Sequence, residues 1–291
     1  MSVTIDQSIV EQFSANVHML AEQRMSRLRS TVNIESVTGE SFARERIGGI
    51  DAPNQVTTRH GDTPLNNTPH SRRWGFITDY DVADLIDRQD RVKLLISPDS
   101  MYAMRHAGTM GRGVDDAIIS ALGGSAVQGK SSGASSVALP SAQKIAHGST
   151  GMTIAKLIQA KEKLDAAEVD EFLPRFAVMG SRQIRDLLED DKVSSADYNT
   201  VKALVRGEIN EYMGFNFIRS ERLVVGEIAA NIRECYVYAM PAVTLGIAQE
   251  PTSVASPRPD KRMAQQIYTY GSWGAVRLED EMVVQVAASE A

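Results

Sequence analysis

The chain has almost no cysteine. Cys235 stands alone among 291 residues, inside the apolar run "CYVYAMPAVTLGIA". One thiol cannot build a disulfide framework, so the fold must hold by packing, and a lone thiol in such a run reads as a small buried hydrophobe. Long apolar runs are missing too. No stretch approaches the roughly 18 apolar residues of a membrane-spanning helix. The opening "MSVTIDQSIVEQF" lacks the basic start and apolar core of a secretory signal. Together these absences point to a cytoplasm-like compartment. Excess positive charge is also lacking: the net charge is −6, which argues against a dedicated nucleic-acid binder.

Lysine is absent from the first third. Every basic side chain before Lys93 is an arginine, at 24, 27, 29, 44, 46, 59, 72, 73, 88 and 91. Arginine makes planar, bidentate contacts with carboxylates and sheds water more readily than lysine. An arginine-only first third suits an interface, although nucleotide composition bias gives the same pattern.

What is present reads as mixed α+β. Ile9, Phe13, Val17 and Leu20 form one stripe, predicting an amphipathic helix over 6–29 that must lie on its own domain or on a neighbouring subunit. Residues 31–58 read as strand pieces. Residues 73–95 read as strand and then helix, with Asp79, Asp81, Asp84, Asp87 and Asp90 around the polar face of Val82, Leu85 and Ile86. A long helix is predicted over 97–124, capped by Ser97 or Asp99 and stopped by Gly123–Gly124. The Ser/Gly-rich 125–150 reads as a hairpin or exposed loop. A helix over 151–169 has Ile154, Leu157, Ile158 and Leu164 as its inner face. Strand, turn and short helix follow at 176–190 and a strand at 212–223. An apolar strand running into a short helix covers 232–250, and two or three strands cover 265–288.

Chemistry-bearing motifs are sparse. "GSAVQGKS" at 124–131 fits the phosphate-loop pattern. A working loop of that kind leaves a buried strand and opens a helix, whereas here a helix precedes and "SGASSVALP" follows. The five histidines are scattered, and His60 with Asp62 falls short of the three or four ligands of a zinc site. No G-x-S-x-G elbow appears, and the carboxylates lie in charge runs. The sequence therefore predicts no enzyme, no cofactor and no metal.

The segment "RHGDTPLNNTPHSRRW" lies in an extended region of about 35–78. A connection that long in a compact domain is uncommon and is usually functional. Its Arg59, Asp62, Arg72 and Arg73 offer charges for pairing, and with Phe13 and Val17 of the terminal helix they are the candidate inter-subunit contacts.

The order of "RHGDTPLNNTPHSRR", "DYDVADLIDRQDRVKLLISPDSMYAM", "GTMGRGVDDAIISAL", "RFAVMGSRQIRDLLED", "EINEYMGFNFIRSERL", "AVTLGIAQE" and "PDKRMAQQIYTYGSWGAVRLEDEMVVQV" resembles the major capsid proteins of tailed bacteriophages. The resemblance runs along nearly the whole chain. It implies the tailed-phage capsid fold shared with encapsulins: an N-terminal arm (1–30), an extended loop over a neighbour (31–78), a peripheral domain with a long spine helix (79–150), an axial domain (151–250) and a return to the peripheral domain (251–291). The implied function is a self-assembling icosahedral shell of hexamers and pentamers around packaged double-stranded DNA, bound without sequence preference. A portal, no membrane, host-cytoplasmic synthesis and a virion location go with it. Only about thirty residues precede the loop, so scaffolding is expected as a separate protein. The missing loop lysine argues against a loop-lysine crosslink of the kind some relatives use. An encapsulin-like compartment and a phosphate-loop nucleotide hydrolase are the alternatives.

Overall fold

The computed structural model describes residues 23, 25–49, 53–55, 58–59, 61–63, 65–87, 99–130, 135–189 and 211–290. Phe13, Val17 and most of the expected terminal helix lie outside them. The end of that expected helix is within them and is not an α-helix. Residues 25–28 are bends and coil, and Arg29–Thr31 form a single 3-10 turn. The reason is Asp115, which is fully buried and accepts the backbone N–H groups of Arg27 (3.1 Å) and Leu28 (3.0 Å). Those donors are thereby drawn out of any helical ladder.

The chain separates into two compact units. One comprises 1–26, 79–113 and 249–272; the other comprises 27–78, 114–248 and 273–291. These limits do not coincide with the boundary drawn at 150/151 from sequence.

In the larger unit, β1 (Asn33–Ser36) pairs in parallel with the start of β12 (Val243–Arg258), Asn33 opposite Thr244. β2 (Ser41–Ile47) and β3 (His70–Phe76) form an antiparallel ribbon, and β3 continues onto β5 (Ala126–Gln128) and β6 (Ser135–Val137). A six-stranded sheet has the order β7 (Lys144–Ile145), β14 (Val283–Ser289), β11 (Ile232–Ala239), β8 (Arg175–Met179), β10 (Phe215–Arg219), β9 (Glu211–Tyr212). β11 is antiparallel to both β14 and β8, and β8 is parallel to β10. Its central strands are near-continuous apolar runs buried on both faces, as such positions require.

Helix α1 (Asp99–Gly123) matches the expected long helix; α2 (Ile154–Ala166) and α3 (Ser181–Glu189) follow. Thr153 caps α2 by accepting the N–H of Lys156. Leu157, Ala160 and Leu164 are buried there, while Ile158, assigned inward from sequence, is half-exposed. Lys156 turns inward in its place. Its amine donates to the carbonyls of His147, Thr150, Gly151 and Ala287 at 2.8–3.1 Å. Four carbonyls substitute for water around the charge, the condition for burying an ammonium.

In the smaller unit, the later part of β12, then β13 (Ala264–Arg277), then β4 (Thr78–Ile86) lie side by side. The expected turn from strand to helix does not occur within 78–86, which form an edge strand. Tyr80, Val82, Asp84 and Ile86 share one face at a spacing of two, which the Val82–Leu85–Ile86 stripe had masked. The aspartates stand exposed on this edge, where charge discourages pairing with a stray strand. Asp84 also accepts from His106 of α1 at 2.8 Å, and His106 meets Thr269 at 3.3 Å. The apolar run at 232–250 differs from expectation as well: after β11 comes one 3-10 turn, Met240–Ala242, and then the long β12.

Candidate assembly interface

The β2–β3 ribbon is built for two environments at once. At its base it is locked into the larger unit. Phe42 is the apolar peg: it packs with Val37, Ala126 and Val276. Glycine at 75 and 246 makes room for its ring, since a Cβ at either position would come within 2.3 or 2.5 Å of a Phe42 ring carbon. Next to Phe42, Arg73 points inward at 1% exposure and donates to Asp280 at 2.6 Å. Arg277 holds the other oxygen of Asp280 at 2.7 Å and donates to the carbonyls of Leu122, Gly124 and Val137. Burial pushes the Arg73 guanidinium below the usual arginine range, and Asp280 opposes that shift. Two buried cations thus share one carboxylate, and they tie β3, β13, the end of α1 and β6 together.

The outward face differs. Arg72 pairs with Glu45 directly across the ribbon and lies over the Trp74 ring at 5.8 Å. Its guanidinium holds the Glu45 carboxyl below the usual range. Arg44, directly opposite Arg73 and on its face, is exposed and pairs with Glu35 at 2.8 Å. Trp74 donates its indole N–H to Gly129 at 3.0 Å, fixing the ribbon to the hairpin. Farther out the limbs of the loop are bridged by Asn54 and Asn66 at 2.9 Å. Arg59 and Asp62 lie in the exposed segment between them and pair with no charge among the described residues. Ile47 is 69% exposed and Leu65 92%.

The four charged candidates in this region therefore part company. Arg59 and Asp62 are exposed near the tip, and Arg72 is half-buried on the ribbon. Arg73 is corrected: it has no surface to offer a partner, because Asp280 holds it inside its own subunit. Sequence reasoning missed Asp280 and Arg277. Their i,i+3 spacing within "RLED" was visible, but nothing in the sequence links them to residue 73.

The phosphate-loop pattern is not a nucleotide site. Ala126–Gln128 form a strand, Trp74 and Arg277 occupy the carbonyls of Gly129 and Gly124, and the next described residues are again a strand. Among the described residues no three His, Cys, Asp or Glu side chains are grouped to hold a metal.

The family model described as phage capsid protein matches residues 5–290. The chain belongs to the phage capsid protein family. Solved structures of the same fold include the capsid of cyanophage P-SCSP1u (TM-score 0.75, 13% identity, 99% of this chain and 95% of that one). Mycobacterium phage Che8 (0.72, 16%, 96% and 96%) and the capsid asymmetric unit of cyanophage Pam1 (0.72, 16%, 98% and 97%) are similar in the same way. No curated protein matches the chain. It is a major capsid protein, a structural component of the virion whose copies associate into capsomers. The compartment and hydrolase alternatives are not favoured.

Proposed function

We propose that the subunit closes an icosahedral shell of hexamers and pentamers around packaged double-stranded DNA, and that its extended loop lies across a neighbouring copy. The observation that carries this is the mismatch within one ribbon: a buried, charge-locked base and a limb that leaves Leu65 92% and Ile47 69% in water. Burial of such side chains against a neighbour supplies about 25 cal/mol per Å² of apolar area. Arg59, Asp62 and Arg72 set register there, since exposed pairs contribute only about 0–1 kcal/mol each. Each contact stays weak enough to reverse during assembly, and closure multiplies many of them.

In that shell 79–150 and the returning 251–291 serve as the peripheral domain, 151–250 as the axial domain, and 31–78 as the loop. A portal and a separate scaffolding protein are its partners, the interior takes DNA without sequence preference, and synthesis is in the host cytoplasm. The role is structural and not enzymatic. A net charge of −6 suits a lumen that must not hold DNA by counterion release.

Electron microscopy of overexpressed protein carrying Arg59→Glu with Leu65→Asp tests the loop. Folded subunits that fail to form shells are the expected result. Normal shells from that variant remove the loop from the assembly mechanism.

A further inference from the structure

A cleft of about 470 Å³ opens in the larger unit beside the C-terminal half of α1. That is within the roughly 300–1,000 Å³ of small-molecule sites. On its wall is Glu234 of β11, 4% exposed. Its Oε2 accepts from the Tyr236 hydroxyl at 2.8 Å and from the Gln285 amide. Its Oε1 accepts nothing among the described residues, and no cation there lies in ion-pair reach of it. That oxygen is not sealed from solvent: it opens onto the cleft, where a cationic hydrogen-bond donor can reach it.

The other charges at the cleft are accounted for differently. Asp116 is gripped by both Nε and Nη2 of Arg222. Glu227 and Lys144 stand exposed at the rim. The neutral wall is mixed: Ile119, Val224, Ile228 and the Tyr236 ring are apolar, and Ser120 and Gln285 are polar.

We propose that this cleft binds an alkylammonium group, with Glu234 Oε1 accepting from the ammonium and Ile119, Val224 and Ile228 packing the alkyl chain. The donor set decides the class. One free carboxylate oxygen beside a partly apolar wall is far from the six to eight oxygens a calcium ion takes. A guanidinium prefers two parallel bonds to one carboxylate, and Oε2 is already taken. A single ammonium needs one strong acceptor and a greasy slot for its stem. The same group is supplied by a free aliphatic diamine or by a lysine of a second copy.

Isothermal titration of dispersed full-length subunits with 1,4-diaminobutane tests the site. Saturable binding of one ligand per subunit is expected, and none for 1-butanol, which lacks the charge. Glu234→Gln should weaken binding at least about tenfold, the loss expected when one partner of a buried charge pair is removed. Ser120→Lys, at an exposed α1 position lining the cleft, leaves Glu234 and its two bonds in place and supplies an ammonium internally. It should abolish binding and decides the matter if Glu234→Gln folds poorly. Assembled shells separate the two sources: they still take up the diamine if the natural ligand is free, and refuse it if a neighbour's lysine already fills the cleft. The proposal falls if wild-type subunits do not bind the diamine, or if both variants bind it as wild type does.

Discussion

The six-stranded sheet and the β2–β3 ribbon belong to one compact unit and follow opposite rules. Every residue of β11 except Arg233 is buried, and so is every residue of β14 except Ser289. Those strands find all their neighbours within the chain. In the ribbon only Phe42, Arg73 and Gly75 are buried, and all three lie toward its base. The sheet accounts for why a single subunit folds. The ribbon accounts for why a folded subunit still carries unused apolar surface, which monomeric proteins avoid presenting in quantity.

The comparison breaks most sharply at the joint between the two. Asp280→Ala leaves Arg73 and Arg277 as buried, uncompensated cations, and is expected to destabilise the subunit by about 3–5 kcal/mol in urea unfolding. Arg73→Glu sets a second buried carboxylate against Asp280 and is expected to destabilise the subunit too, so it is no test of assembly. An unchanged midpoint in Asp280→Ala would mean that the network is dispensable.

The same substitution made in both regions sharpens the contrast. Leu157→Ala removes a fully buried side chain beneath the sheet and should cost about 2–5 kcal/mol. Leu65→Ala, at 92% exposure, should change stability by less than about 0.5 kcal/mol yet reduce shell yield. Equal destabilisation by both would erase the distinction.

Alkaline pH probes the buried thiol and phenols of the sheet. Burial pushes the Cys235 thiol from its ordinary value near 9 up to about 12, and raises Tyr236 and Tyr238 by the same cause. Above pH 9 the unfolded chain loses the thiol proton while the folded chain keeps it. Stability is therefore whole below pH 9 and falls as pH rises toward 12, by at most about 1.4 kcal/mol per pH unit from the thiol. Urea midpoints at pH 8, 9 and 10 check the sign. Thiol reagents should leave Cys235 unmodified until the protein unfolds.

The smallest effect belongs to the ribbon's outer face. Arg72→Glu faces Glu45 with a like charge, and the small loss of stability it causes should shrink further as salt is added.

Local pattern carried much of the fold. The Gly123–Gly124 stop of α1, the Leu157–Leu164 stripe and the apolar run of β11 each announce an element within a few residues of its place. Pattern failed where distant partners decide. β4 is a strand because it lies beside β13, although its spacing of apolar residues also fits a helix. Ile158 and Lys156 exchange roles because four carbonyls from two other segments converge on one amine. In the ribbon, the exposure of Arg59 and Asp62 was legible, but the inward turn of Arg73 was not. Asp280 lies 207 residues away in sequence, and no periodicity reaches that far.

Hydrogen exchange measured on dispersed subunits and on assembled shells addresses the central claim, that a neighbouring copy completes the ribbon. Amides of residues 41–76 should exchange much more slowly in shells, while those of β11 and β14 should be equally protected in both. Equal exchange of 41–76 in the two states would contradict the account.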